Sequence, residues 1–211
     1  GRVARTDDGA LSWRQLPFGE RGTGSAFDGH TYGIAVPWGE PETVYAVLDT
    51  GVFGVSYDLG ETWEARGRID IDGPDPTRLD YFGRIRIAAG ASGTDPILVH
   101  DGAYIWRSSD EGASWSAVAE NAGNPDALVR DPSNFDVVLA PGGLISVDAG
   151  ANWEESTLGN VERAFWGEQL WVFADGTLTV GDGVEQAARS SPAAELSALA
   201  EIGDDVWAAD S

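Results

Sequence analysis

The sequence contains no cysteine, no lysine and no methionine, and only two histidines. Without cysteine there are no disulfides and no thiolate metal sites, and redox compartment cannot be read. His30 and His100 stand far apart with no second ligand near either in sequence. Neither supports a zinc site or a catalytic triad. No apolar run approaches the ~20 residues needed to cross a bilayer as a helix. All 13 basic residues are arginine, against 35 acidic ones, for a formal charge of −22. Such a chain repels nucleic acid and anionic membrane surfaces. An acidic surface without lysine suits high salt, and it equally suits a GC-rich genome and an exported, soluble protein. The missing methionine, initiator included, is read as removal of an export signal, so an extracytoplasmic location (periplasmic, secreted or surface-associated) is the expectation.

Glycine, by contrast, is abundant at 28 residues, as is tryptophan at 9. Together they imply many tight turns with large aromatic plugs. The turns follow a pattern. Ser56-Tyr57-Asp58-Leu59-Gly60-Glu61-Thr62-Trp63 reads S-x-D-x-G-x-T-W. In-phase copies run from Thr6 through Asp8 to Trp13, from Ser108 through Asp110 and Gly112 to Trp115, and from Ser146 through Asp148 and Gly150 to Trp153. The first copy has Ala10 at the glycine position, and the fourth has Asn152 where Thr or Ser is usual. The Trp-to-Trp intervals are 50, 52 and 38 residues, a period that marks propellers or solenoids.

Each copy has the same surroundings. Thr43 to Leu48, a turn at Asp49-Thr50-Gly51, and Val52 to Ser56 form one β-hairpin; Ile97 to Val99 with Ala103 to Arg107, and Val137 to Leu139 with Leu144 to Ser146, form two more. A further apolar segment precedes each hairpin and a last strand follows each box, giving four antiparallel strands per unit. One such sheet cannot bury both faces alone, so units must stack. A fifth unit, from Ala164 to Ala188, lacks the box. The chain ends in two strands, Leu196 to Ala200 and Asp205 to Ala209, which complement the Gly1 to Trp13 segment. The expected fold is therefore all-β: a single-domain, five-bladed β-propeller over 1–211. Its four-stranded antiparallel blades lie near 30–68, 82–120, 126–159 and 162–190, with one blade shared by 1–18 and 195–211. Pairing of the N- and C-terminal strands closes the ring and removes open sheet edges. An open solenoid is the alternative.

This repeat resembles the Asp-box (BNR) repeat of sialidases, sortilin-type receptors and photosystem assembly factors, over nearly the whole chain. The resemblance implies a β-propeller with each box on the turn between a blade's third and fourth strands. It implies little about activity, because enzymes and non-enzymes share the device. The residues read the same way. Asp58, Asp110 and Asp148 can accept N–H groups of the following turn. Gly60, Gly112 and Gly150 permit positive φ. Ser56, Ser108, Ser146, Thr62 and Ser114 can tie the two strands together, and Trp63, Trp115 and Trp153 can fill the space between blades.

Candidate chemistry is sparse. Sialidases resemble one another in having six blades and an Arg cluster for the substrate carboxylate; this chain is too short for six blades. Arg84 and Arg86 alternate on an expected innermost strand, and Arg130 and Arg163 lie near the corresponding strands of the next two blades. They could hold a carboxylate or sulfate, or pair with nearby acids. Asp70, Asp72 and Asp75 surround a Gly-Pro turn and are a weak Ca²⁺ candidate, without EF-hand spacing. No other cofactor is expected. The long loops 19–29 and 69–81 are candidate recognition elements. Phe18, Phe27, Tyr32 and Trp38 lie in or beside the first: exposed, they would mark an interface; buried, they would pin the loop. The leading expectation is a non-enzymatic protein-binding or accessory module of a larger assembly. A glycan-binding propeller, or a degenerate sialidase-like glycosidase, is the alternative.

Overall fold

The computed structural model describes residues 3–19, 25–70, 85–121, 123, 125–167, 169–181, 187–189, 196–202 and 205–210. They group into two compact units, Gly1–Ala117 and Val118–Ser211.

In the first unit a short hairpin, β1 (Ala4–Arg5) and β2 (Arg14–Gln15), carries the first box on its turn. A four-stranded antiparallel sheet follows in the order β3 (Thr31–Ala35), β4 (Val44–Leu48), β5 (Val52–Ser56) and β6 (Glu64–Arg68). The next sheet repeats the order with β7 (Arg86–Ala88), β8 (Ile97–His100), β9 (Tyr104–Ser108) and β10 (Ser116–Glu120), within which the chain passes into the second unit. The β4 sequence is a continuous apolar run, and all five of its residues are buried. That pattern belongs to a strand covered on both faces. By contrast β6, last in its sheet, is mostly exposed.

Two cores explain why. On one face of the β3–β6 sheet, Tyr45, Val47, Phe53 and Val55 pack against Ile85, Ile87, Ile97 and Val99 of the next sheet. On the other, Ala46 and Leu48 meet Val3, Leu16 and Phe18 beside the terminal hairpin. Each fully buried aromatic or branched side chain contributes ~1.5–3 kcal/mol of apolar burial. The sheets come close because Gly33 has no side chain: a Cβ there would sit 3.0 Å from the Ile85 carbonyl and 3.2 Å from Ile87 Cγ1.

The second unit contains two further four-stranded antiparallel sheets among the described residues. One is β11 (Val129–Arg130), β12 (Val138–Leu139), β13 (Leu144–Ser146) and β14 (Glu154–Glu155). The other is β15 (Val161–Trp166), β16 (Leu170–Ala174), β17 (Thr177–Gly181) and β18 (Ala187–Arg189). Their shared core joins Ala127 and Leu139 to Val161, Trp166, Leu170 and Val172. A final hairpin pairs β19 (Leu196–Ile202) with β20 (Asp205–Asp210).

The strand after the second box starts at Glu64, because Trp63 still belongs to the turn. In the second unit β11 begins only at Val129, because Pro125–Ala127 forms a 3-10 turn.

Candidate functional site

The four boxes share one hydrogen-bond scheme. Ser56 Oγ donates to Asp58 Oδ1 (2.8 Å) and accepts the Gly60 N–H (2.8 Å). Asp58 Oδ1 also accepts the Thr62 N–H (2.8 Å), and its Oδ2 accepts the Thr62 hydroxyl (2.6 Å). Trp63 Nε1 donates to the Gly60 carbonyl (2.9 Å), which folds the indole over the turn. Ser108, Asp110, Gly112, Ser114 and Trp115 repeat every bond. So do Ser146, Asp148, Gly150 and Trp153, with the Asn152 amide donating to Asp148 Oδ2 (2.7 Å) in place of a hydroxyl. In the first box Thr6, Asp8 and Ser12 make the same bonds, and the Ala10 N–H takes the glycine's part. The hydroxyls thus bond the box's own aspartate and turn rather than tying strand to strand.

Two consecutive residues in each box are left-handed. Gly60, Gly112 and Gly150 have φ of +88°, +83° and +80°, and Leu59, Glu111 and Ala149 before them lie at +60°, +53° and +55°. Ala10 occupies the glycine position at +69°. The sequence reading assigned positive φ to the glycine alone. Left-handed backbone is costly for Leu or Ala, so the aspartate and hydroxyl bonds must hold it there.

The box glycine and tryptophan also join neighbouring repeats. Trp115 meets Phe53 edge-on, with ring centroids 5.0 Å apart, and a Cβ on Gly112 would collide with the Phe53 ring at 2.3 Å. Trp63 stacks on Phe18 at 4.3 Å, and Gly60 abuts Leu16. Trp153 is half-buried, whereas Trp13 is 63 % exposed. Ion pairs reinforce the seams: Arg14 bonds both oxygens of Glu61 in the next box, and Arg66 reaches Glu111 Oε2 in the one after (3.4 Å).

The box carboxylates are unsuited to general-acid chemistry. The side-chain bond from Thr62, then its backbone bond and that from Ser56, hold Asp58 at about 2. Asp8 and Asp148 are likewise held at about 2, by Ser12 and Asn152 first, and Asp110 is lowered by Ser114. A catalytic acid needs the opposite shift. Because the folded values lie below the ~3.9 of an unfolded aspartate, the stabilisation is complete above about pH 4 and is lost as pH falls toward about 2. Thermal melts below about pH 4 should therefore decline more steeply for the parent protein than for Asp58→Asn.

The other candidate residues are scattered. Arg86 is exposed at the start of β7. Arg130 is buried on β11, and Arg163 pairs with Asp126 Oδ2 at 3.5 Å. Arg84 lies outside the described residues, as do Asp72 and Asp75; Asp70 is exposed. Among the described residues no group of three His, Asp or Glu side chains could hold a metal ion. His100 is fully buried and its Nδ1 accepts the Gly102 N–H (3.0 Å), a structural use within the hairpin turn. Of the loops, residues 20–24 and 71–81 also lie outside the described set.

The four aromatics beside the first loop divide. Phe18 is fully buried between Trp63 and Phe27, which pins the loop, and Tyr32 packs against the core. Trp38 is exposed. Ile34 on β3, Val36 just after it and Trp38 in the turn that follows are exposed at 52, 47 and 61 %, and form an exposed apolar stripe that starts on β3. The sequence marked Trp38 only as undecided and did not mark Ile34 or Val36 as exposed. An alternating pattern there could have identified the stripe.

Near Trp38 lies a cluster of a different kind. Glu40, Glu111 and the Tyr45 hydroxyl, from three separate segments, converge on Gly93. Burial first, then the charges of Glu40 and Glu111, pushes the Tyr45 hydroxyl far above the ordinary phenol range.

No protein-family model matches the sequence, and no curated protein does. Solved structures do match. YCF48 bound to a D1 peptide superposes with a TM-score of 0.62 at 18 % identity, over 99 % of this chain and 69 % of that one. A GH74 enzyme of Niastella koreensis gives 0.60 at 21 % identity, over 80 % of this chain. A chain of the nidogen/laminin complex gives 0.53 at 16 %, over 85 % of this chain and 72 % of that one. This chain spans only 25 % of the length of the GH74 enzyme. At such identities the likeness is one of fold, and the fold is the β-propeller, built here from Asp-box repeats.

Proposed function

We propose that the protein is a non-enzymatic binding module that takes a basic, partly apolar segment of another protein, as an accessory part of a larger, extracytoplasmic assembly. The observation that carries this reading is the exposed stripe of Ile34, Val36 and Trp38. Neighbouring exposed apolar side chains of this size are characteristic of interaction surfaces. The net charge of −22 favours a basic partner and speeds its approach. Two structures of like fold, YCF48 with its D1 peptide and the nidogen/laminin complex, carry protein partners by their descriptions, which supports a protein partner, while the GH74 xyloglucanase of like fold stands on the side of the glycan alternative.

In this reading the sheets are blades of one five-bladed ring over 1–211, with one blade shared by the terminal strands. The two edge hairpins, β1–β2 and β19–β20, supply the two strands each that the shared blade needs.

The test is retention of proteins from an extract of the source organism, compared between the parent protein and Ile34→Ser/Trp38→Ser. Surface changes of this kind cost within about 0.5 kcal/mol, so the melting temperature should hold. The reading requires a basic protein held by the parent and lost by the variant. Binding on a glycan array, with no protein retained, would favour the glycan alternative instead.

A further inference from the structure

We propose that the free edge of β10 pairs with the same strand of a second copy of this chain, antiparallel and centred on Val118, as a homodimer that strengthens with salt. This goes beyond the binding-module reading and uses a different surface.

β10 is the last strand of its sheet and is bonded to β9 on one side only among the described residues. Its other side therefore offers a row of unpaired N–H and C=O groups, which another extended chain satisfies. Natural sheets commonly guard such an edge with charge. The last strands β2, β6 and β14 do so with Arg14, with Glu64, Arg66 and Arg68, and with Glu154 and Glu155. β10 reads Ser-Ala-Val-Ala-Glu and carries its one charge at the end. Ser116, Ala117 and Glu120 are exposed, and Val118 and Ala119 are half-buried.

The order of those residues selects the occupant. Set antiparallel to itself about Val118, the strand puts Val118 opposite Val118, Ala117 opposite Ala119, and Ser116 opposite Glu120. The apolar residues meet their like, and each glutamate faces a hydroxyl that can donate to it rather than a second carboxylate. The same operation on β14 would set Glu154 against Glu155, and on β6 it would set Arg66 against Arg66. Like charges directly opposite destabilise a sheet, so neither of those strands suits its own copy. A two-fold pair of this kind closes on itself and stops at two copies. The 5 residues a side fall well short of the ~20–30 of a stable interface, so the contact is weak. The charge of −22 on each copy opposes it at low salt. Raising the ionic strength from about 0.1 M to about 1 M shortens the screening length from ~10 Å to ~3 Å and lifts that opposition. Association should therefore strengthen with salt, the reverse of charge-driven binding to a basic partner.

The chain has no cysteine, so Val118→Cys places a single thiol per copy on the proposed axis. Directly opposed residues of an antiparallel pair lie ~4.5–5.5 Å apart at Cα, within disulfide reach. Val147→Cys, at an exposed residue of the fourth box, reports random collision. With an added oxidant in about 1 M salt, Val118→Cys should form the disulfide dimer at least about tenfold faster than Val147→Cys, and about 0.1 M salt should slow it. Adding Ala117→Glu and Ala119→Glu sets carboxylates against each other across the pair. That should bring trapping down to the collision rate with the melting temperature close to the parent's. Sedimentation of the unsubstituted full chain at about millimolar concentration should show a monomer–dimer equilibrium that strengthens with salt. The proposal is overturned if Val118→Cys is trapped no faster than Val147→Cys, if salt slows trapping, or if the parent stays monomeric at every salt concentration. It is overturned as well if Val118→Cys stays monomeric while Ala117→Glu/Ala119→Glu loses a protein retained from extract, since the edge would then hold a different chain. Retention of a partner by the stripe from Ile34 to Trp38 bears on the binding-module reading alone.

Discussion

Phe53→Ala is expected to lower the stability of the protein by about 3–5 kcal/mol, the range for removing a buried aromatic. Phe53 is fully buried between Tyr45 (5.6 Å) and the edge of Trp115 (5.0 Å), and it stops the Gly112 turn of the next repeat. Alanine would leave a cavity at the seam between two sheets, where neither can collapse without losing its own register. For a chain of this size the melting temperature should fall roughly 6–20 °C. Thermal unfolding followed by circular dichroism measures it. A drop under about 1 kcal/mol would mean that the seam is not held by this contact.

Gly112→Ala attacks the same seam from the other side. The residue sits at φ +83°, where a Cβ costs ~1–2 kcal/mol. That Cβ would also lie 2.3 Å from Phe53 Cδ1. Overpacking of this kind adds ~1–3 kcal/mol. The combined loss, about 2–5 kcal/mol, is a large share of the ~5–15 kcal/mol that holds a typical domain. Because Phe53 and Gly112 touch, the double variant Phe53→Ala/Gly112→Ala should cost less than the sum of the two singles: with the ring gone, the new methyl has room. Strict additivity in a double-mutant cycle would show that the clash is not the cause.

The box and the hairpins were legible because their signals are local. Asp, Gly and the hydroxyls act within a few residues of one another, so spacing alone carries the geometry of Ser56 to Trp63. Even there one feature stayed hidden. Leu59, Glu111 and Ala149 are left-handed although their identities give no sign of it. The turn forces them, and their side chains take no part. The seams were half legible: a tryptophan ending each box suggests a wedge, but nothing in the sequence says that Trp63 meets Phe18, or that Trp13 is left largely exposed.

The candidate site was not legible, for a physical reason. Glu40 and Tyr45, Gly93, and Glu111 are drawn from three stretches of the chain, and only stacking of one repeat on the next brings them together. In a chain with 35 acidic residues, two more glutamates carry no signal. Tyr45 reads as one more apolar residue in a buried strand until its hydroxyl is found without a partner. The arginines drew attention instead because the sialidase resemblance brings an Arg cluster with it. Arg163 has an acidic neighbour, Asp126, and Arg130 is buried within its sheet. That analogy did not identify the surface; the alternating apolar residues Ile34, Val36 and Trp38 would have been the better guide.

The boxes are the scaffold, and the proposed binding surface begins at the apolar stripe from Ile34 to Trp38. The measurement that tests this most directly compares retention of the same partner protein by three folded proteins: the parent, Ile34→Ser/Trp38→Ser, and the box variant Asp148→Asn. The box variant should melt earlier yet retain the partner at the parent's level below its melting temperature. The stripe variant should melt with the parent and lose the partner. Loss of the partner by the box variant while folded, with full retention by the stripe variant, would contradict the account.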